Sequence, residues 1–355
     1  MTRLEKLAER LPEGVDAGLV TSGIARRYYT GFPSSAGVLL VTRKKSRFLI
    51  DFRYYEHAKQ KITDCEVYLL ENLSDQLNRF LTENGVKTVG METDAVTLEE
   101  YHRYREMLPD VEILDDGRFQ RLISEDRLLK TEQEIKLVSD AQRIAEAAFE
   151  ETLNFITAGK TEREIALYLD YRMRKLGAED ISFDTIVASG CHSAVPHAVP
   201  TDKPIESGDF IVIDFGATLA GYHSDMTRTV SVGTVSEEQE RVYDTVLRAQ
   251  LAALEQVKAG VPCAKIDAAA RDLIHLSGYE GCFGHSTGHG IGLEIHEQPN
   301  VSPKSQTITQ TGMLFSVEPG IYLAGKFGVR IEDMVVVREK DYLNLTKTKK
   351  ERISL

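Results

Sequence analysis

Gly208-Asp209-Phe210-Ile211-Val212-Ile213-Asp214-Phe215-Gly216-Ala217-Thr218-Leu219-Ala220-Gly221-Tyr222-His223-Ser224-Asp225-Met226-Thr227-Arg228-Thr229 is the stretch from which the architecture is read. Residues 210–215 and 226–232 are β-rich runs, and Ala220-Gly221 can turn the chain between them. Two apolar runs around a glycine-bearing turn predict a β-hairpin. A pairing centred near Leu219 and Ala220 sets Asp214 opposite Asp225. Directly paired strand residues carry Cβ atoms about 5 Å apart. Two carboxylates that close repel unless a cation lies between them.

The pattern repeats downstream. Residues 313–318 and 329–337 are strand candidates, with Ala324-Gly325-Lys326 able to turn the chain between them. Glu318 and Glu332 are symmetric about Gly325, so a second hairpin brings a second pair of carboxylates together. Between the hairpins runs Gly284-His285-Ser286-Thr287-Gly288-His289-Gly290-Ile291-Gly292-Leu293-Glu294-Ile295-His296-Glu297, dense in glycine and histidine. Each candidate alone has an ordinary reading. Asp214 could be an edge residue, Glu318 could precede the Pro319-Gly320 turn, Arg330 and Glu332 could be a surface ion pair, and His289 a loop histidine. It is the conjunction that argues for chemistry, because acids placed among Val, Ile and Phe need a partner.

Four carboxylates and an imidazole (Asp214, Asp225, His289, Glu318, Glu332) form a mostly hard donor set. It suits Mn²⁺, Mg²⁺ or Fe²⁺ and accepts Co²⁺ or Zn²⁺. The set is too large for one catalytic ion with open positions. It fits two divalent ions about 3.5–4 Å apart that share carboxylates, an arrangement that supports metal-assisted hydrolysis.

The 355 residues allow two domains, each with its own core. An apolar share of 42% and a charged share of 28% are those of a soluble globular chain. The net charge of -12, without a basic stripe, argues against a nucleic-acid partner. Lys347-Thr348-Lys349-Lys350 is the nearest thing to a basic run and reads as a solvated tail. Leu4, Leu7 and Leu11 at helical spacing mark a surface helix rather than a signal peptide. No stretch approaches the roughly 18 apolar residues of a membrane span. Cys65, Cys191, Cys263 and Cys282 include no Cys-x-x-Cys pair, which predicts free thiols in a cytoplasmic setting.

Taken in order, residues 1–125 read as an α/β domain. It has a strand at 17–21, a hairpin of 37–42 with 47–51, strands at 67–70, 87–91 and 111–114, and helices at 73–83 and 97–107. No catalytic constellation falls there, so shaping substrate access or oligomerisation is its expected work. Residues 126–355 form the second domain. Thr131-x-x-Glu134 and Thr161-x-x-Glu164 are capping boxes that start helices, through about 156 and 176, the latter stopped by Gly177. A strand is expected at 181–188, and helices from Ser236 to about 258 and from about 264 to 276. The prediction is an α+β domain with helices outside and an antiparallel sheet carrying the charged cluster inside.

Val212-Ile213-Asp214-Phe215-Gly216, Ser224-Asp225-Met226-Thr227-Arg228-Thr229, Gly288-His289-Gly290-Ile291-Gly292, Ser316-Val317-Glu318-Pro319-Gly320 and Val329-Arg330-Ile331-Glu332-Asp333 together resemble the pita-bread metallopeptidases. Within them the chain is similar to the proline-specific branch, Xaa-Pro aminopeptidase and prolidase. The resemblance covers about 180–340 closely and extends to the smaller creatinase-like N-terminal domain. It implies that Asp214 and Asp225 share one metal, that His289 and Glu318 hold the other, and that Asp225 and Glu332 bridge them. Glu318 would also relay a proton from the attacking water. His197, His285 and His296 would hold the substrate carbonyl and stabilise the oxyanion, and Arg330 would orient the site. The implied cofactor is a pair of divalent ions, Mn²⁺ first, and the implied assembly a homodimer. An Xaa-Pro bond lacks an amide N–H, so a site that demands a ring and no donor selects it. One departure concerns substrate length. Dipeptide-cleaving members often carry an arginine after His-Glu-x-Pro, whereas here the segment is His296-Glu297-Gln298-Pro299-Asn300. Asn300 cannot make a charge-assisted bidentate contact, which admits longer Xaa-Pro peptides. The rival expectations are a methionine aminopeptidase, a metal-free creatinase-like hydrolase and a non-catalytic binding module of the same fold.

Overall fold

A computed structural model describes residues 1–355 as two compact units, Met1–Arg127 and Leu128–Leu355. The first unit contains α1 (Arg3–Arg10), β1 (Ala17–Val20), α2 (Gly23–Thr30), β2 (Val38–Thr42), β3 (Ser46–Ile50), α3 (Phe52–Lys61) and β4 (Glu66–Leu69). α4 (Leu73–Glu83), β5 (Thr88–Met91), α5 (Leu98–Met107), β6 (Glu112–Leu114) and α6 (Arg118–Leu128) follow. Its six strands form one mixed sheet in the order β4-β3-β2-β1-β5-β6. Leu19, Leu40, Leu49, Phe80 and Val89 centre its core. Two of its helices, α2 and α3, are not marked by the sequence pattern. Each carries a Tyr-Tyr pair, Tyr28-Tyr29 and Tyr54-Tyr55, whose propensity favours strands. Their N-caps override it: Ser22 Oγ accepts from Ala25 N–H and the Asp51 carboxylate from Arg53 N–H.

The second unit begins with α7 (Glu132–Leu153) and α8 (Glu162–Lys175), both started by the expected capping boxes. Then come β7 (Asp180–Ile181), β8 (Ile186–Ser189), β9 (Phe210–Phe215), β10 (Ala217–Leu219), β11 (Tyr222–His223) and β12 (Met226–Ser231), followed by α9 (Glu237–Glu255) and α10 (Cys263–Ile274). The chain closes with β13 (Gly288–Gly290), β14 (Glu297–Val301), β15 (Leu314–Val317), β16 (Gly320–Leu323), β17 (Phe327–Arg330), β18 (Asp333–Val337), β19 (Tyr342–Asn344) and β20 (Ile353–Ser354). Two larger sheets, β20-β12-β9-β8 and β14-β13-β15-β18-β19, form the interior. α7 and α8 pack on β9 and β12 through Phe149, Leu169, Ile211 and Ile213. α9 and α10 pack on β15, β17 and β18 through Val246, Ile266, Phe315 and Val335. The single strand expected at 181–188 is two. β7 pairs with β10 while β8 pairs with β9, so the chain changes sheets at Ser182, whose hydroxyl donates to Ala217 O.

The first hairpin forms, with a register displaced from the expected one. Asp214 pairs with Thr227 rather than Asp225. The turn is Ala220-Gly221, flanked by the Leu219–Tyr222 pair, with φ of 48° and 74° at its two central residues. Positive φ at both positions is the two-residue turn whose twist suits a hairpin. The displacement is two residues, which preserves the face. Asp225 therefore remains beside Asp214 as a diagonal neighbour. In the second hairpin β15 pairs with β18 and β16 with β17 in one continuous register, Val317 with Asp333 and Gly320 with Arg330. Glu318 and Glu332 oppose each other in the gap between these ladders, as their symmetry about Gly325 predicts.

Candidate metal centre

Five side chains converge where the two sheets meet. Asp214 comes from β9, Asp225 from the residue before β12, His289 from β13, and Glu318 and Glu332 from the gap in the second hairpin. His289 is held from behind. Its backbone N–H donates to Ser316 Oγ (3.1 Å) and its Nδ1 meets Gly290 O (3.2 Å). Nε2 is thereby turned to the acids, 3.3 Å from Glu318 Oε1 and 3.5 Å from Asp225 Oδ2. Ligand atoms of Asp225, His289 and Glu332 all lie within 4.8 Å of one another.

The acids are buried and crowded. Burial raises Asp225 well above its usual range, and the charges of Glu332, Asp214 and Glu318 push it further. Burial likewise raises Glu332, with Glu318 and Asp214 adding to it. Glu318 is pushed up to about 7 by burial, against the pull of Arg330. Burial lowers His289 and keeps its imidazole neutral. Asp214 Oδ1, Asp225 Oδ1 and Glu332 Oε1 are buried without a hydrogen-bond partner. Three orphaned carboxylate oxygens on three different acids are costly alone. Together with a neutral imidazole nitrogen they are the donor set that divalent ions require. The residues present therefore fit a metal centre.

A supporting layer fixes these ligands. Thr227 Oγ1 donates to Glu332 Oε2 (2.8 Å) and accepts from Arg330 Nε (3.0 Å). Arg330 Nη2 donates to Asp214 Oδ2 (2.7 Å), and Nη1 to Tyr322 Oη (2.7 Å) and Pro196 O (3.3 Å). Ser316 Oγ donates to Glu318 Oε1 (3.0 Å). In the sequence reading Thr227 and Ser316 stand inside quoted motifs without a role, and Tyr322 is absent. For the first two a signal exists. Each lies two residues from an acid, and alternate strand residues share a face.

The other histidines separate by environment. His197 is exposed, in the loop after the short helical turn Gly190–Ala194. Buried Glu162 anchors that loop by accepting from Ser189 N–H (2.7 Å) and Thr201 N–H (3.0 Å). His296 is exposed and stacks edge-on against His289, with ring centroids 4.3 Å apart. His285 has both nitrogens engaged, Nδ1 with Ser286 O (2.8 Å) and Nε2 with Tyr322 Oη (2.9 Å), and burial lowers it to about 4. Asn300 is exposed and pairs directly with His289 across β13 and β14.

Comparison with known proteins agrees with this geometry. Residues 136–339 match the family model of metallopeptidase family M24, and residues 3–129 that of the creatinase/prolidase N-terminal domain. An Xaa-Pro dipeptidase of Pyrococcus horikoshii is 37% identical over 353 residues, covering 99% of this chain and 98% of that protein. The structure of an Xaa-Pro dipeptidase from Bacillus anthracis superposes with a TM-score of 0.95 at 43% identity, covering 99% of both chains. An X-Pro aminopeptidase from Thermotoga maritima superposes with a TM-score of 0.92 at 41% identity, covering 99% of this chain and 100% of that one.

Proposed function

The chain belongs to metallopeptidase family M24, and from that premise we propose that it hydrolyses the bond between an N-terminal residue and a following proline, using two divalent ions. The observation that carries this reading is the set of three buried carboxylate oxygens without partners, gathered around a neutral His289. Asp214 and Asp225 would hold one ion, His289 and Glu318 the other, with Asp225 and Glu332 shared. Mn²⁺ is the first choice for so hard a donor set. Two such ions, when bound, supply Lewis acidity and bring the pKa of water toward neutrality.

The protein's own groups do the rest. Glu318 accepts a proton from the attacking water and returns it to the prolyl nitrogen as that nitrogen leaves. His197 and His296, both exposed, would donate to the substrate carbonyl oxygen as charge develops on it. His285 has no free nitrogen, so its part is to orient Tyr322, and through it Arg330 and Asp214. A proline at the second position brings no amide N–H, so a site without an acceptor there would select it. Asn300, beside His289, leaves the substrate's far end without a charged clamp, which favours acceptance of peptides longer than two residues. A homodimer and a cytoplasmic setting belong to the same proposal, and so does a role for the first unit in substrate access.

The test is hydrolysis of an Xaa-Pro dipeptide and an Xaa-Pro-Yaa tripeptide by Mn²⁺-loaded protein. Both should be cleaved, and Glu318→Gln should lower kcat by about 10²–10⁴. Cleavage of the dipeptide alone would return a dipeptidase with its carboxylate contact elsewhere. Cleavage of neither, with Mn²⁺ bound, would sink the proline reading.

A further inference from the structure

A second buried charge cluster adjoins Glu332, and the reaction proposed above makes no use of it. Arg228 follows Thr227 on β12, so its side chain leaves the opposite face, and it is 1% exposed. All five of its N–H groups are taken. Nε donates to Lys349 O (3.0 Å) and Nη1 to Thr227 O (2.9 Å) and Glu332 O. Nη2 donates to Asp333 Oδ1 (2.8 Å) and Thr348 O (2.7 Å). The other Asp333 oxygen accepts from Lys350 Nζ (2.6 Å), Asn344 Nδ2 (2.7 Å) and Gln250 Nε2 (3.2 Å). Gln250 Oε1 accepts in turn from Lys350 Nζ (3.2 Å).

Residues 347–350 read as a solvated tail in the sequence; Lys347 and Lys349 are indeed exposed, but the main chain of the segment is tied down through the carbonyls of Thr348 and Lys349. Their backbone is clamped again by Glu146, whose Oε1 accepts from the N–H groups of Thr348 (2.6 Å) and Lys347, and by Tyr243 Oη, which donates to Lys350 O (2.8 Å). Beyond them β20 joins β12 as a parallel edge strand.

Buried ion pairs seldom stabilise a fold more than apolar residues of the same volume would. What this one does is geometric. It ties the main-chain carbonyls of Thr227 and Glu332 and the Asp333 carboxylate to the carbonyls of Thr348 and Lys349 through one rigid guanidinium fork. We propose that Arg228, Asp333 and Lys350 are positioning residues that set the affinity for metal by fixing the main chain of Glu332. The 347–350 segment is then part of the metal centre without supplying a ligand. The inference rests on the metal-centre reading, and its test separates the two.

Mn²⁺ alone is titrated calorimetrically into chelator-treated wild type, Lys350→Met, Lys350→Arg and Arg228→Lys, alongside melts of each metal-free protein. Lys350→Met should weaken Mn²⁺ binding about tenfold or more, the usual effect of losing a group behind the ligands. Lys350→Arg should recover most of that loss. Lys350 keeps 18% of its side chain exposed, so this variant folds even if Arg228→Lys does not. Unchanged Mn²⁺ affinity in Lys350→Met overturns the proposal, whatever the melting temperature does. A loss that Lys350→Arg does not recover reports lost packing and overturns it as well. Wild type that binds no Mn²⁺ removes the metal centre itself, and this inference with it.

Discussion

At the scale of single residues, the centre is defined by acids that are uncomfortable without a cation. In the metal-free protein Glu318 is raised from 4.5 to about 7, and Asp225 and Glu332 are raised as well. The folded chain then holds protons that the unfolded chain has already released. Their contribution to metal-free stability is complete below the unfolded pKa and is lost as pH climbs through the folded values. The protein in EDTA should therefore melt lower at pH 8 than at pH 6, and added Mn²⁺ should restore more at pH 8. Differential scanning calorimetry of both forms checks this, and Glu318→Gln should flatten the dependence. A higher metal-free melting temperature at pH 8 would mean these acids are not buried as described.

At the scale of elements, close approach of backbones decides where ligands stand. A Cβ on Gly216 would lie 1.9 Å from Ser224 O, and one on Gly288 would lie 1.8 Å from Ser316 O. Neither obstacle is a side chain that could swing aside. Gly288→Ala should push His289 away from the Ser316–Glu318 strand, weaken Mn²⁺ binding about tenfold or more and cost about 1–3 kcal/mol of stability. Mn²⁺ titration and urea unfolding read both. The placing of Glu318 opposite Glu332 could be read from sequence, because their symmetry about Gly325 is also the symmetry of the real turn. The relation of Asp214 to Asp225 was legible in its face but not its register, since Leu219, Ala220 and Gly221 offer more than one two-residue turn. Only the φ values of Ala220 and Gly221 choose between them. The role of Arg228 could not be read, because its partners other than Thr227 lie 104 to 121 residues away and no local periodicity announces them.

At the scale of the whole molecule, the ligands come from two sheets of one unit, so bound ions would act as crosslinks between them. Free Mn²⁺ at a hundredfold excess over Kd stabilises a folded protein by about 2.7 kcal/mol per site. For a unit of this size that corresponds to a rise of roughly 5–10 °C in Tm. Calorimetry with and without Mn²⁺ should show this in the transition that belongs to Leu128–Leu355. The two hairpin turns also bear on how such a sequence can drift. Substitutions at Ala324 or Lys326 leave the spacing of the flanking strands intact, but one inserted residue would carry Glu332 to the far face. The same holds for Asp225 and the Ala220-Gly221 turn. Among descendants of this chain, these turns should therefore change in composition far more readily than in length.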